Sequence, residues 1–520
     1  MSTAAGGGRR ARRRRRNVPG LLIAVAALLA LAMVLDVVVP APDVPAAARV
    51  DQEPAAAGVW YCPAVAGEGG TGVLHVAAVG EEASQFVVDR YRAARVRADE
   101  PQTLEPGGEQ VLKLDGRDAT APVAVRWTGG PVAVTWRKVG KDDRAAAAPC
   151  EPRPSPHWYI PGFSTTLGST AHVHVFNPFR SDAVVRLLFA TPDGPVALVI
   201  ADNLLVGAGG TTTVNLGRYR PEEPDLGVIV EVLAGRVVAQ GELNVTPPRR
   251  TSGSAGRVLL PAAPAPSMSW AFATATDDDD SDSWLSVLNP GDDVAAVEVR
   301  VSNPAGGGSS LLGEVSVPAG GLSRIELASA SEKPEFGVSL VVTNGQPVVA
   351  TRLTSRPHGG KQVLFGGAGA SELSTTWALL GSGSQGNTGL VSVFNPGPEA
   401  TSVDVVAPGA PRSWAGIEIG PNRRVSVDLT ESRQPAGSLP VVVRAQGPVV
   451  ADLRSSVATA VFRGWQTTGA GAAQWIGATS RPPVHRDPQL ATDVRPPPEE
   501  VDNPLSGFQG LESISEPTGG

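Results

Sequence analysis

One pattern recurs along the chain and constrains the fold more than any other feature. A short alternating segment ending in Asn-Pro occurs three times, at Asn177-Pro178, Asn289-Pro290 and Asn395-Pro396. The three asparagines are 112 (289 − 177) and 106 (395 − 289) residues apart. A repeat of this length matches one small domain, so the sequence predicts related domains in series.

Further landmarks accompany each Asn-Pro in the same order. A tryptophan precedes each asparagine by 18 or 19 residues, at Trp158, Trp270 and Trp377. After each asparagine comes a turn into an alternating strand, at 209–216, 320–327 and 422–429. A predicted hairpin follows, whose return strand contains Val-Ala at 238–239, 349–350 and 450–451. The same template finds an earlier copy that lacks Asn-Pro, with Trp60, Ala78, Gly107-Gly108 and Val132-Ala133 as its landmarks.

Each copy contains about seven short segments of alternating hydrophobicity separated by turn residues, which is typical of an immunoglobulin-like β-sandwich. The predicted fold class is therefore all-β, with four tandem immunoglobulin-like repeats at 57–152, 153–250, 251–370 and 371–480. The repeated residues suit structural roles. An asparagine before proline is extended and its side chain can close the turn, while the opening tryptophan is expected to bury its ring.

The N-terminus predicts export. Seven arginines and no acidic residue occupy the first sixteen positions of a basic tail at 1–17, and an apolar run follows at 18–39. The run is long enough to cross a bilayer, and positive charge stays cytoplasmic, so it is interpreted as a transmembrane signal anchor or a cleaved signal peptide. The body is then extracytoplasmic, or secreted if cleavage occurs, after a linker at 40–56. The Pro-rich acidic end at 481–520 is predicted to be disordered.

The chain has two cysteines, Cys62 and Cys150, and both lie in the exported part. An even pair in an oxidising compartment favours a disulfide over two buried thiols. The bridge would span the first copy almost from end to end.

Two clusters resemble metal sites. His172 and His174 share one face of a strand, but Val173 and Val175 form the core face, which places both histidines on a solvated or inter-domain surface. Asp277–Asp282 lacks the glycine and glutamate of an EF-hand loop, so it is interpreted as a solvated acidic loop, with weak calcium binding as the alternative.

No catalytic motif occurs. Gly381–Gly386 is a glycine-serine loop without the strand-turn-helix context of a hydrolase elbow, and no phosphate-binding or dinucleotide motif is found. Asn244–Thr246 matches a glycosylation acceptor. The net charge of −7 and the confinement of the basic cluster to the tail argue against nucleic-acid binding. The sequence predicts neither an enzyme nor a cofactor.

The arginine-rich tail, the single apolar segment, Trp60–Pro63 and the Asn-Pro strand ends resemble an actinobacterial family of exported proteins, domain of unknown function 5719. The resemblance extends over about residues 50–480, although the first copy lacks Asn-Pro and Phe179 replaces a glycine in the second. Genes of that family often lie near envelope glycosyltransferases, which implies a cell-envelope role. The family has no known functional residues to carry over.

Two functions fit these features. The first is a non-enzymatic envelope stalk or scaffold that is anchored through residues 18–39 and binds an envelope protein or a wall glycan. The second is a carbohydrate-binding accessory protein of an envelope glycosyltransferase system, with Trp284 or Trp414 stacking on sugar rings.

Overall fold

The computed structural model describes most of the chain between residues 57 and 468; the described ranges are 57–63, 70–92, 95–140, 144–246, 255–276, 281–302, 309–327, 334–358, 361–380, 389–407, 414–429, 440–458 and 463–468. The predicted tail, apolar segment, linker and C-terminal tail lie outside them. Within the described ranges, no helix has both the length and the apolar character needed to cross a membrane. Strands dominate, so the all-β prediction is confirmed.

The strands fall into four consecutive strand groups. Group I (57–149) contains β1 Ala57–Cys62, β2 Thr71–Ala78, β3 Ser84–Arg92, β4 Arg95–Ala98, β5 Gln102–Leu104, β6 Glu109–Leu114, β7 Val123–Gly129, β8 Val132–Val139 and β9 Ala145–Pro149. Group II (157–261) contains β10 His157–Phe163, β11 Ser169–Phe176, β12 Ala183–Thr191, β13 Gly194–Ala197, β14 Leu204–Val206, β15 Thr211–Asn215, β16 Leu226–Ala234, β17 Val238–Val245 and β18 Gly256–Pro261.

Groups III and IV follow with fewer strands. Group III (269–368) contains β19 Ser269–Thr276, β20 Asp282–Leu288, β21 Ala295–Ser302, β22 Ser309–Val317, β23 Leu322–Glu326, β24 Glu335–Val342, β25 Val349–His358 and β26 Lys361–Ala368. Group IV (374–468) contains β27 Ser374–Leu379, β28 Gly389–Asn395, β29 Thr401–Val406, β30 Ile417–Ile419, β31 Arg423–Asp428, β32 Val441–Ala458 and β33 Arg463–Thr468. Three short 3-10 turns complete the described elements, at Asp118–Thr120, Val199–Ala201 and Leu216–Arg218.

Groups I to III each form two antiparallel sheets with one recurring order. In group I the orders are β1-β7-β3-β4, with β5 also on β3, and β6-β2-β8-β9; group II has β10-β16-β12-β13, with β14 on β12, and β15-β11-β17-β18; group III has β19-β24-β21-β22 and β23-β20-β25-β26. In group IV the 18-residue strand β32 takes part in both layers, because its first half pairs with β27 and β29 and its second half with β28 and β33.

The predicted hairpin at the Val-Ala landmark is wrong. β16 pairs with β10 and β12, whereas β17, which follows it directly, pairs with β11 and β18 in the other sheet. The short connection therefore crosses from one layer to the other, since both strands already have two partners. The strand β18 also extends the sheet of group II, although the predicted boundary at 250/251 separates it from its partner.

The four opening tryptophans are buried and make one repeated hydrogen bond. Each indole Nε1–H donates to the backbone carbonyl where the chain crosses between the layers, which in group IV is the middle of β32. The pairs are Trp60 to Val132 at 2.7 Å, Trp158 to Val237 at 2.8 Å, Trp270 to Val348 at 2.7 Å and Trp377 to Val449 at 2.9 Å. Burial of an indole requires such an acceptor for its N–H. Because Val132 and Val237 accept the same bond, they occupy equivalent positions in groups I and II. The Val-Ala landmark of the sequence, which matches Val132 with Val238, is therefore wrong by one residue.

The three Asn-Pro asparagines are buried and make the same set of bonds. In Asn289, Oδ1 accepts from the Gly291 N–H at 3.0 Å, and Nδ2 donates to the Asp293 carbonyl at 2.7 Å and the Val317 carbonyl at 3.1 Å. Asn177 and Asn395 repeat this arrangement within their own groups. The side chain thus closes the turn and ties it to the neighbouring strand.

Replacing Asn289 with alanine is expected to lower the free energy of unfolding by about 2–3 kcal/mol, because buried backbone groups lose their partners. Urea denaturation followed by hydrogen exchange in β20 to β22 measures the loss. Asn344→Ala is the matched control. The Asn344 side chain accepts from the Ala296 N–H and donates to the Val294 carbonyl, as Asn289 does with its own partners, but it is exposed. An equal effect of both substitutions would contradict a buried structural role for Asn289.

Candidate functional site

The junctions between consecutive strand groups are packed face to face. Tyr61 and Tyr91 of group I contact Phe176 of group II, with ring centroids 6.4 and 4.9 Å apart. Phe176, Leu288 and Phe394 stand at one repeated position, the residue before the Asn-Pro asparagine. The junction therefore uses the same strand end in each group.

Small residues receive these large side chains. A Cβ built on Gly227 would lie 2.6 Å from Cδ1 of Leu288, and one on Gly337 would lie 2.5 Å from Cγ of Phe394. Such approaches are possible only without a side chain, so glycine at these strand positions allows the next group to dock.

Gly337→Val is expected to destabilise the junction of groups III and IV by about 1–3 kcal/mol through overpacking against Phe394. Gly313→Val is its control, because a Cβ at Gly313 of β22 meets nothing within 4 Å. Thermal unfolding of both variants provides the measurement. A Gly337 variant as stable as the Gly313 variant would show that the junction is loosely packed.

The junctions close into a cycle. The buried cluster of group IV, which includes Trp377 and Val442, also contains Ala77, Val79 and Ala133 of group I. The last strands of the groups also meet: β9 contacts β18 and β33, and β26 contacts the same two strands. The first group is therefore joined to the last as well as to the second.

A buried ionic cluster lies at the junction of groups I and II. Glu242 accepts from Lys138 Nζ at 2.6 Å and lies 2.9 Å from His174 Nε2. Arg257 Nε lies 3.5 Å from the other carboxylate oxygen. Because a carboxylate only accepts, His174 donates through Nε2, and its Nδ1 lies 3.0 Å from the Thr213 hydroxyl. Lys138 belongs to group I and the other members to group II.

Charge and burial determine the pKa values of Glu242 and His172 in this cluster. Burial would raise the pKa of Glu242, but the hydrogen bond from His174 and the charges of Lys138 and Arg257 outweigh it and hold that pKa far below its ordinary range. Burial lowers the pKa of His172 below its ordinary value of 6.5, and the charge of Glu242 offsets this only in part. The cluster is thus built for one carboxylate and a neutral His172.

Acidification below pH 6.5 is expected to destabilise the junction of groups I and II. A depressed pKa means that the unfolded chain protonates His172 first, so stability is complete above pH 6.5 and falls as the pH decreases through the folded pKa. The charged or titratable groups facing His172 are His174, Glu242, Lys138 and Arg257. Urea titrations at pH 7.5, 6.5 and 5.5 test this; His172→Asn should flatten the slope between them, and an unchanged slope would contradict it.

A second ionic cluster lies at the junction of groups III and IV. Glu335 of β24 accepts from Arg454 at 2.6 Å, from Arg424 at 3.2 Å and from Arg356 at 3.1 Å. Burial would raise the pKa of Glu335, but the charges of Arg454 and Arg424 prevail and lower it to about 2. The carboxylate therefore stays ionised and joins the two groups electrostatically.

The same junction holds Asp452 of group IV. Its carboxylate accepts from the Thr274 hydroxyl at 3.0 Å and lies 3.6 Å from Arg352 Nη1. Burial raises the pKa of Asp452 above its ordinary value. Within the described ranges, four arginines thus surround two carboxylates in this cluster, in an arrangement suited to fixing position and not to group transfer.

The predicted site residues have different outcomes. Cys62 and Cys150 form a disulfide, so that prediction is confirmed; it joins β1 of one sheet to the end of β9 in the other. His174 is buried at a junction, which matches the inter-domain alternative. Among the described residues, no group of three His, Cys, Asp or Glu side chains is placed to hold a metal.

Other predicted features lie partly outside the described ranges. Of Asp277–Asp282, the structure describes two residues: Ser281 is buried and Asp282 is exposed. Residues 381–386 lie outside the described ranges. Asn244 Oδ1 accepts from Arg144 at 3.1 Å. The two tryptophans considered for sugar stacking are not exposed platforms: Trp414 is buried in the core of group IV, and Trp284 is half-buried beneath the Arg324 guanidinium at 4.0 Å.

Sequence reasoning missed the ionic junction residues. Glu242 and Glu335 stand on strand faces opposite the local core, where alternation alone predicts solvent. The available signal was the polar set at matching positions of β11, β20 and β28, namely His174, Ser286 and Ser392. Each of these residues lies three positions before its Asn-Pro asparagine, but nothing in one sequence says that another group covers them.

The family model for the family of unknown function DUF5719 matches residues 110–374, a little over half of the chain. The chain belongs to this family. The DUF5719 match begins within β6 and ends at the start of β27, so it includes the Lys138–Glu242 pair between groups I and II and the contact of Gly227 with Leu288 between groups II and III. No curated protein matches the chain.

Proposed function

We propose that this DUF5719 protein is a non-enzymatic cell-envelope scaffold or interaction protein, built from four tandem immunoglobulin-like sandwiches. Groups I to IV would be the four copies, exported and anchored through the apolar segment at 18–39. The recurring sheet order supports the repeat, and the basic tail before the apolar run supports the orientation.

The cyclic set of junctions is the observation that carries this proposal. Independent sandwiches on flexible linkers would give an extended stalk, but here buried charges and matched side chains join the groups, and β9 meets β33. A compact platform favours presentation of a fixed surface to a partner over spanning a distance.

Capture from the native envelope tests the proposal. Tagged full-length protein is cross-linked in its host, purified, and its partners identified by mass spectrometry, with protease accessibility reporting the side of the membrane. We expect extracytoplasmic location and recovery of envelope proteins or wall glycan, reduced by Gly337→Val but not by Gly313→Val. A cytoplasmic body, or turnover of envelope polymers by the purified protein, would overturn it.

The alternative is a carbohydrate-binding accessory protein of an envelope glycosyltransferase system. The aromatic platforms that motivated it are covered, since Trp414 lies in a core and Trp284 beneath Arg324. Retention of glycan without any protein partner, together with loss of retention in Trp284→Ala, would favour this alternative over the scaffold.

A further inference from the structure

The β3–β4 hairpin of group I gathers four arginines on one face. Arg90 pairs directly with Arg97, and Arg92 with Arg95. Directly opposed residues of an antiparallel pair point to the same side, and residues two apart in a strand do as well, so all four side chains share one face. We call these four residues the arginine face.

Two carboxylates neutralise only part of this charge. Asp99 binds Arg90 through both oxygens, and Asp118 of the neighbouring 3-10 turn binds both Arg90 and Arg92. Arg95 and Arg97 are exposed and form no ion pair within the described part of the chain. Four cations against two anions leave the arginine face with two excess positive charges.

The fold does not require these arginines. Like charges placed opposite each other destabilise a strand pair. In the corresponding hairpin of group II, the equivalent pairs of β12 and β13 are Phe189 with Val196 and Thr191 with Gly194, without any charge. The arginine face is therefore retained at a cost in a chain whose net charge is −7.

We propose that the arginine face binds a phosphodiester-linked wall polymer. Arginines two residues apart in a strand repeat at about 7 Å, and each guanidinium offers a fork that fits phosphate oxygens. Asp99 and Asp118 hold Arg90 and Arg92 in place, and Arg95 and Arg97 supply the uncompensated charge. The assignment of the polymer to the cell wall rests on the proposed envelope location. The ability of the arginine face to bind a phosphate polymer does not depend on that location.

A wall polymer fits this surface better than a lipid bilayer. Membrane-binding surfaces combine basic residues with apolar side chains that enter the headgroup region. The exposed apolar residue of the hairpin, Val96, pairs with Tyr91 and points to the opposite face. The arginine face itself presents only charge.

Binding of poly(glycerol phosphate) to the full-length protein in neutral detergent micelles tests this inference. Every variant carries serine at the seven tail arginines, which would otherwise bind anions themselves. Arg95→Thr/Arg97→Thr is expected to weaken binding tenfold or more and to reduce the salt dependence. The charge-matched control, Lys113→Thr/Arg180→Thr, should change affinity less than twofold. Arg95→Lys/Arg97→Lys keeps the charge but loses the guanidinium forks, so its affinity should lie between those of the parent and the Arg95→Thr/Arg97→Thr variant.

Several results would overturn the inference. The first two are no binding of poly(glycerol phosphate) by the parent protein and an equal loss of affinity in the Lys113→Thr/Arg180→Thr control. A third is binding of polygalacturonate as tightly as the phosphate polymer. A fourth is displacement of the polymer by phosphatidylglycerol in the micelles, at a phosphate concentration below that of the polymer. Because the assay uses purified protein, failure here is distinguishable from failure of the envelope location, which protease accessibility reports separately.

Discussion

Cys62→Ala/Cys150→Ala is expected to destabilise group I by about 4–5 kcal/mol, close to the stability of a typical domain. The bridge joins residues 88 apart in sequence, so its loss frees almost the whole group in the unfolded state. Hydrogen exchange of the β1 and β7 amides is the suitable measurement, because a chain of several groups does not unfold in a two-state manner.

The amides of β19 and β24 in group III provide the internal control for this experiment. They lie beyond the bridge and should retain most of their protection. Thiol labelling of the native protein should find no free cysteine. Equal exchange in β1 with and without the bridge would contradict its stabilising role, and two reactive thiols would show that the bridge does not form in the cell.

Glu242→Gln is expected to cost about 3–5 kcal/mol, because it keeps the shape of the side chain but removes the buried negative charge that Lys138, His174 and Arg257 surround. The side chains of Glu242, Lys138 and Arg257 are 5%, 8% and 9% exposed, so water cannot replace the lost partner. The loss should appear as earlier unfolding of groups I and II together, since Lys138 belongs to the first and Glu242 to the second.

Glu231→Gln is the matched control for this substitution. Glu231 pairs with Arg186 on the outer part of the same group, where both side chains reach solvent, and exposed pairs contribute at most about 1 kcal/mol. If both glutamine variants lose the same stability, the buried cluster does not join the groups as described.

Alternation and turn chemistry were enough to predict the strands and the buried tryptophans, and an even pair of cysteines after the apolar segment predicted the disulfide. Each of these depends on local pattern or on a pair of residue types, which a single sequence contains. The partner of Trp60 was harder to place. Group II has Val-Val-Ala at 237–239, so the Val-Ala landmark matches Val132 of group I with Val238. The tryptophan hydrogen bond instead matches Val132 with Val237, one residue earlier.

The crossing strands and the junctions could not be predicted in the same way. A short turn between two alternating segments predicts a hairpin, and only the competition for partners in two sheets sends β16 and β17 apart. Glu335 shows the same limit: it is charged and outward-facing within its own group, and its burial depends on Arg424 and Arg454 about a hundred residues later.

The contact of β9 with β33 has a consequence for the order in which the chain becomes complete. A chain made from its N-terminus presents β9, an edge strand, long before β33 exists to meet it. Unfinished strand edges invite pairing with other molecules. β9 consists of four alanines and a proline, residues with little tendency to form strands or aggregates. The composition of β9 thus disfavours pairing with a wrong neighbour during the interval before β33 is made.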